Sequence, residues 1–193
     1  MSSGVVKWGG GAAILAAVLL VLSAIIDQIA PVEGIIDAPS EYLHRAVLAL
    51  AYVAITVAIL GIHALHRGNS RYGRLGTAGS LVTIAGYTII AVITLISTVQ
   101  DFEYLLTIRI AAAGLVLIGS LILGVIILRA RLLPWWCGVL LIVAFPLGDV
   151  VNEIFSSAEN VLLALLWGSV GVALVARREG VVEAGASQAA QTS

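Results

Sequence analysis

The chain has 193 residues, 61% of them hydrophobic and 11% charged, with a formal net charge of −1 and a mean hydropathy of +1.11. A soluble domain carries roughly 45–50% apolar and about 25% charged residues, so this composition excludes one. It also excludes a disordered chain and a basic nucleic-acid binder. The single Cys137 cannot close an intrachain disulfide, which excludes a disulfide-stapled secreted domain. The remaining class is an all-α, polytopic transmembrane helix bundle whose stability comes from helix packing.

Apolar runs near the ~20 residues that a spanning helix needs occur six times, at about 9–30, 42–65, 76–98, 106–128, 135–155 and 158–176. They lack the apolar and polar alternation of barrel strands. The first run follows Lys7 and has the outline of a secretory signal over Ala12–Ile26. No small-x-small cleavage site follows it, and cleavage would leave five spans with mismatched loop charges, so a signal anchor is the better reading. The second run is preceded by Asp37-Ala38-Pro39-Ser40-Glu41, a cap with proline in the first turn. The sixth is preceded by Ser156-Ser157-Ala158-Glu159, which has capping-box spacing. Residues 1–178 form one six-helix domain, and 179–193, small and polar, read as a flexible cytoplasmic tail.

Short cytoplasmic loops collect Lys and Arg. Lys7, Arg67, Arg71, Arg74, Arg129, Arg131, Arg177 and Arg178 fall at one set of span ends. Asp27, Glu33, Asp37, Glu41, Asp101, Glu103, Asp149, Glu153 and Glu159 fall at the other, offset only by Arg45 and Arg109. The expected topology places both termini in the cytoplasm of a plasma-membrane protein. A two-span unit also recurs, since Trp8-Gly9, Leu75-Gly76 and Trp136-Cys137-Gly138 each open an odd span. Three successive helical hairpins explain the recurrence, although any even-span chain that obeys the charge rule shows most of it.

The fifth run holds the strongest anomaly, Phe145-Pro146-Leu147-Gly148-Asp149, where proline and glycine predict a kink. Counting ~1.5 Å per residue from Trp136 buries Asp149 below the far surface, with Glu153 one turn on. A carboxylate at such depth pairs, protonates or faces the interior. Arg45 and Arg109 open the second and fourth spans at matching depth, so Asp149 or Glu153 is expected to pair with one of them. Two readings stay open: a polar, outward-facing pocket for a proton, cation or headgroup, or an ionic clasp that fixes helix register.

The third span carries Ser80, Thr83, Tyr87, Ala91, Thr94 and Thr98 at spacings of three and four, a stripe expected to face inward. It either lines a polar path, with Tyr87 and Thr94 as binding residues, or lets helices approach closely. Gly9, Ala13 and Ala17, Ser120 and Gly124, and Ala164 and Gly168 are further small-residue pairs that predict tight contacts within one chain or between copies. His44, His63 and His66 lie on one span, so a single subunit cannot ligate a haem between facing helices. Glu41-x-x-His44 matches a carboxylate-bridged metal motif only in part. No His-Glu-x-x-His, phosphate loop, Cys-x-x-Cys or Gly-x-Ser-x-Gly is present, so no catalytic residue, metal ligand or cofactor is expected. Trp8, Trp135 and Trp136 read as interface anchors, and Trp167 as a packing residue within the last span.

The segment Arg129-Ala130-Arg131-Leu132-Leu133-Pro134-Trp135-Trp136-Cys137-Gly138 resembles that of a loose class of uncharacterised bacterial six-span membrane proteins, in which a basic loop and Leu-Pro lead into the next-to-last span. The resemblance implies a bacterial plasma-membrane location and no activity. Three functions follow in order of expectation. The first is binding or transport of a small solute, ion or lipid through the polar cluster. The second is an accessory subunit of a larger membrane complex, and the third a membrane-embedded lipid-modifying enzyme. The expected partners are membrane lipid and a second copy or another membrane subunit, not nucleic acid.

Overall fold

The computed structural model describes the backbone of residues 3–29, 39–97, 103–152 and 157–191, and side chains within these ranges except at 3, 103, 104, 149, 152 and 178–191. Six helices run in chain order: α1 (Ser3–Ile29), α2 (Pro39–His66), α3 (Gly73–Ile96), α4 (Glu103–Ala130), α5 (Trp135–Asn152) and α6 (Ala158–Gln191). Among the described residues there is no strand. Five helices are long and apolar enough to cross a membrane, and α5 carries a shorter apolar stretch, Trp135–Gly148. The chain is a multi-pass membrane protein. Its outward side chains are large and apolar, including Leu50, Leu81, Ile110 and Val172, as lipid contact requires.

Each helix packs on its sequence neighbours, and α6 returns to α1, which closes the six into a ring, with α2 also meeting α6 across it. This refines the three-hairpin expectation, because α6 packs more extensively on α1 than on α5, its hairpin mate. Glycine explains the difference. A Cβ on Gly171 would lie 2.9 Å from the Ile14 backbone nitrogen and 3.0 Å from the Gly10 carbonyl oxygen. In lipid, where tails are as apolar as leucine, such backbone approach is what van der Waals packing gains from small residues.

The fifth helix, expected over 135–155, runs through Pro146 to Asn152, and 153–156 lie outside the described residues. The largest difference from the sequence reading is at the last helix. The sixth continues beyond the expected end at 176 to Gln191, so the backbone of the expected tail is helical through that residue. Ala, Glu and Gln in that stretch are good helix formers.

The loop contacts gather the charges at two ends. Asn69 Nδ2 donates to the Ala130 carbonyl at 3.4 Å, Arg71 to that of Arg129 at 3.4 Å, and Arg177 to that of Arg131 at 3.5 Å. These form a basic end, where Trp8 and Trp135 are largely exposed as anchors. Glu41, Asp27, Ser157 and Glu159 lie at the opposite, acidic end. Between the ends the interior is filled by side chains with almost no exposure: Ile55, Ile59, Leu123, Leu141 and Trp167.

Candidate functional site

The acidic end carries a polar layer to which most helices contribute. Pro39 opens α2 because its missing N–H costs nothing in the first turn, and Glu41 in that turn faces inward, 5% exposed. One turn later Arg45 Nη2 donates to Glu41 Oε1 at 2.7 Å, while Nη1 donates to the carbonyl of Ser97 at the end of α3. That carbonyl is one of the four that a helix C-terminus leaves without an intrahelical partner. His44, also buried, donates from Nδ1 to the Ser23 carbonyl at 3.2 Å, with the Ser23 hydroxyl 3.4 Å from the same nitrogen. Ser157, in the left-handed region at φ 65, donates to the Asp27 carboxylate. These bonds join α1 to α2, α2 to α3 and α1 to α6 at one level.

Beneath this layer lie three aromatic side chains from three helices. Tyr52 and Tyr87 have ring centroids 5.9 Å apart, and Trp167 meets Tyr87 edge-on at 6.3 Å. All three are buried. The indole N–H of Trp167 is directed at Tyr87 yet has no hydrogen-bond partner among the described residues. Glu159 and Arg109 both lie within electrostatic reach of the Tyr52 phenol, and Glu159 also of Tyr87. Glu159 is seated against α5, where a Cβ on Gly148 would meet its Cγ at 2.9 Å and its Cα at 3.3 Å. The glycine expected to loosen α5 is therefore what lets α6 bring a carboxylate close.

Of the residues singled out in the sequence, Arg45, Arg109 and Tyr87 belong to this region. Arg45 engages Glu41 and Ser97. Its expected partners on α5 are not placed, since Glu153 and the side chain of Asp149 lie outside the described residues. Thr94 is half-buried, and its carbonyl accepts from the Ser97 hydroxyl at 2.9 Å. The α3 stripe is buried at Ser80, Thr83, Tyr87 and Ala91, and Thr98 lies outside the described residues. Thr83 bonds back to the Gly79 carbonyl at 2.7 Å, and its backbone and hydroxyl sit where a Cβ on Gly119 would go. That is close packing of α3 on α4.

Sequence reasoning did not place Glu41, Tyr52 or Glu159 in this site. Glu41-x-x-x-Arg45 has the favourable order of an i,i+4 ion pair, which was a readable signal. Glu159 was read as a cap, and of the expected capping box Ser156 lies outside the described residues. Nothing local marks Tyr52. Among the described residues no cluster of three or more His, Cys, Asp or Glu could hold a metal ion. The chain matches no protein-family model, no curated protein and no solved structure.

Proposed function

We propose that this protein binds, and passes through helix rearrangement, a proton or small cation at the acidic end, in a bacterial plasma membrane with its basic end and termini in the cytoplasm. The observation that carries the reading is Glu159, seated against Gly148 and within electrostatic reach of the buried Tyr52 and Tyr87 phenols. A carboxylate beside buried side chains, where little water screens it, is an environment for positive charge. The filled interior below supports a closed binding state rather than an open pore, and the excess of arginine at the other end supports the orientation.

The accessory-subunit reading draws support from one feature: Ala17 and Ala164 line an apolar groove of about 320 Å³ between α1 and α6. Most glycine faces, however, are consumed within the chain, Gly9 on Gly61, Gly86 on Val116 and Gly124 on Gly138. The ion reading is tested by thermal unfolding in lipid nanodiscs with sodium, potassium or tetramethylammonium chloride at matched ionic strength. At least one cation is expected to raise Tm in the native protein and not in a folded Glu159→Gln variant. Equal Tm in all salts for both proteins removes the cation reading, and a Tm that shifts with pH equally in the native protein and Glu159→Gln removes the proton reading.

A further inference from the structure

At the basic end, residues 67–72 between α2 and α3 form a turn held from several sides. The Asn69 N–H donates to the His66 carbonyl at 2.8 Å, the Tyr72 N–H to that of Asn69 at 3.0 Å, and Asn69 Oδ1 accepts from the Arg71 N–H at 2.9 Å. The Tyr72 ring folds flat over Gly76, where a Cβ would sit 2.6 Å from its Cδ2. Its hydroxyl lies 2.5 Å from Ser80 Oγ and 3.1 Å from His63 Nδ1. Gly73, at φ 48, makes the reversal that separates Arg71 from Arg74.

Two clefts flank the clamped turn. One, of about 630 Å³, is lined by Arg67, Asn69, Ser70, Arg74 and Thr77 and ends on Leu81, an exposed apolar residue of α3. The other, of about 580 Å³, is lined by Arg71, Arg129 and Arg131 with Leu128. Among the described side chains no carboxylate pairs with any of these five arginines, and Arg71 donates to a backbone carbonyl. The first turn of α3, which contributes Gly73 and Arg74 to the larger cleft, holds no acid and no side-chain cap.

We propose that the larger cleft seats the phosphate of an anionic phospholipid headgroup, with the smaller one as a second seat of the same kind. Five gathered guanidinium groups repel one another until an anion sits among them. Guanidinium presents a planar fork that matches phosphate oxygens, which a lysine does not. The cleft commits the anion to a lipid, because it is polar at the mouth and apolar where it meets the membrane-facing side of α3. A preorganised turn gives up little entropy on binding. This site is independent of the acidic end.

The test is native mass spectrometry of the full chain in detergent, with phosphatidylglycerol and phosphatidylcholine of identical acyl chains. The native protein should retain phosphatidylglycerol preferentially. Arg67→Gln with Arg74→Gln should weaken that preference by about fivefold per arginine, while Lys7→Gln, at the same end but outside both clefts, should leave it unchanged. If the glutamine variant fails to fold, Arg67→Lys with Arg74→Lys replaces it and should give a smaller loss. Excess inorganic phosphate should not displace the lipid. Equal retention of the two lipids, an equal effect of Lys7→Gln, or displacement by phosphate would each overturn the proposal.

Discussion

Gly9 of α1 and Gly61 of α2 cross so closely that a Cβ on either would lie 2.5 Å from the other's Cα. Backbone meets backbone there, so neither helix has a flexible side chain that could yield. Alanine at either position is expected to cost about 1–3 kcal/mol through overpacking. Gly11 is the internal control, since a Cβ there meets nothing within 4 Å. Gly11→Ala should raise stability by up to about 1 kcal/mol through helix propensity. Thermal unfolding of the three alanine variants in one detergent checks both signs.

The Glu41–Arg45 pair, with side chains 6% and 12% exposed, is shielded enough that removing one partner leaves an uncompensated charge. Glu41→Gln is expected to cost on the order of 3 kcal/mol. Adding Arg45→Met should recover part of that loss, because the two residues share one interaction and their effects do not add. A double-mutant cycle on unfolding free energy measures the coupling. Additive losses would show that the pair contributes nothing beyond its separate members.

How far this end of the molecule was legible follows from which contacts are local. Arg45 was recognisable as a charge at the outer end of its span, and Glu41, with which it pairs, stands four residues before it on the same helix. The sequence argument weighed depth and looked to α5, whose Glu153 and Asp149 side chain lie outside the described residues. The Asp27 and Ser157 contact joins residues 130 apart and depends on α6 returning to α1, which no periodicity reveals. Apart from the run of α6 on to Gln191, the helices were legible to within a turn or two, since apolar length and flanking charge are local quantities. Gly9 and Gly124 were legible as small residues but their partners Gly61 and Gly138 were not, because which face meets which helix is set by the ring.

Tyr72 titration offers a pH test outside the membrane-spanning segments. Burial raises its phenol above the ordinary value of about 10, with the Ser80 hydroxyl partly offsetting this. The folded state therefore holds the proton more tightly than the unfolded chain. Stability from this group is fully present below pH 10 and falls as the pH rises past it, when the unfolded phenol ionises first. Tyr72→Phe should cost about 1 kcal/mol at neutral pH through the lost hydrogen bonds. It should also flatten the alkaline decline, which unfolding midpoints between pH 8 and pH 11 measure. An unchanged alkaline slope would assign that decline to other groups.

Gly148→Ala moves the Glu159 carboxylate without touching its charge. The added methyl would lie 2.9 Å from Glu159 Cγ and 3.3 Å from its Cα, so the side chain must swing or α6 must shift. Tm in the absence of cation should fall by no more than a few degrees, corresponding to about 1 kcal/mol. The cation-dependent increase in Tm should fall further, towards that of Glu159→Gln. Full retention of the increase would separate Gly148 from the site.

The meeting of α1 and α6 also bears on the order of assembly. As it leaves the ribosome, α1 has a partner within one loop of itself, and α2 can dock on the Gly9 side as soon as it inserts. Its other side, with Gly10 and Ile14, fits only the last helix. Through the insertion of α3, α4 and α5 that surface has lipid, or a chaperone, where Gly171 will be. Contacts of such sequence separation form late and slowly. Native packing along α1 is thus completed by α6, and a chain cut short before α6 is left with an unfilled seam rather than a smaller bundle.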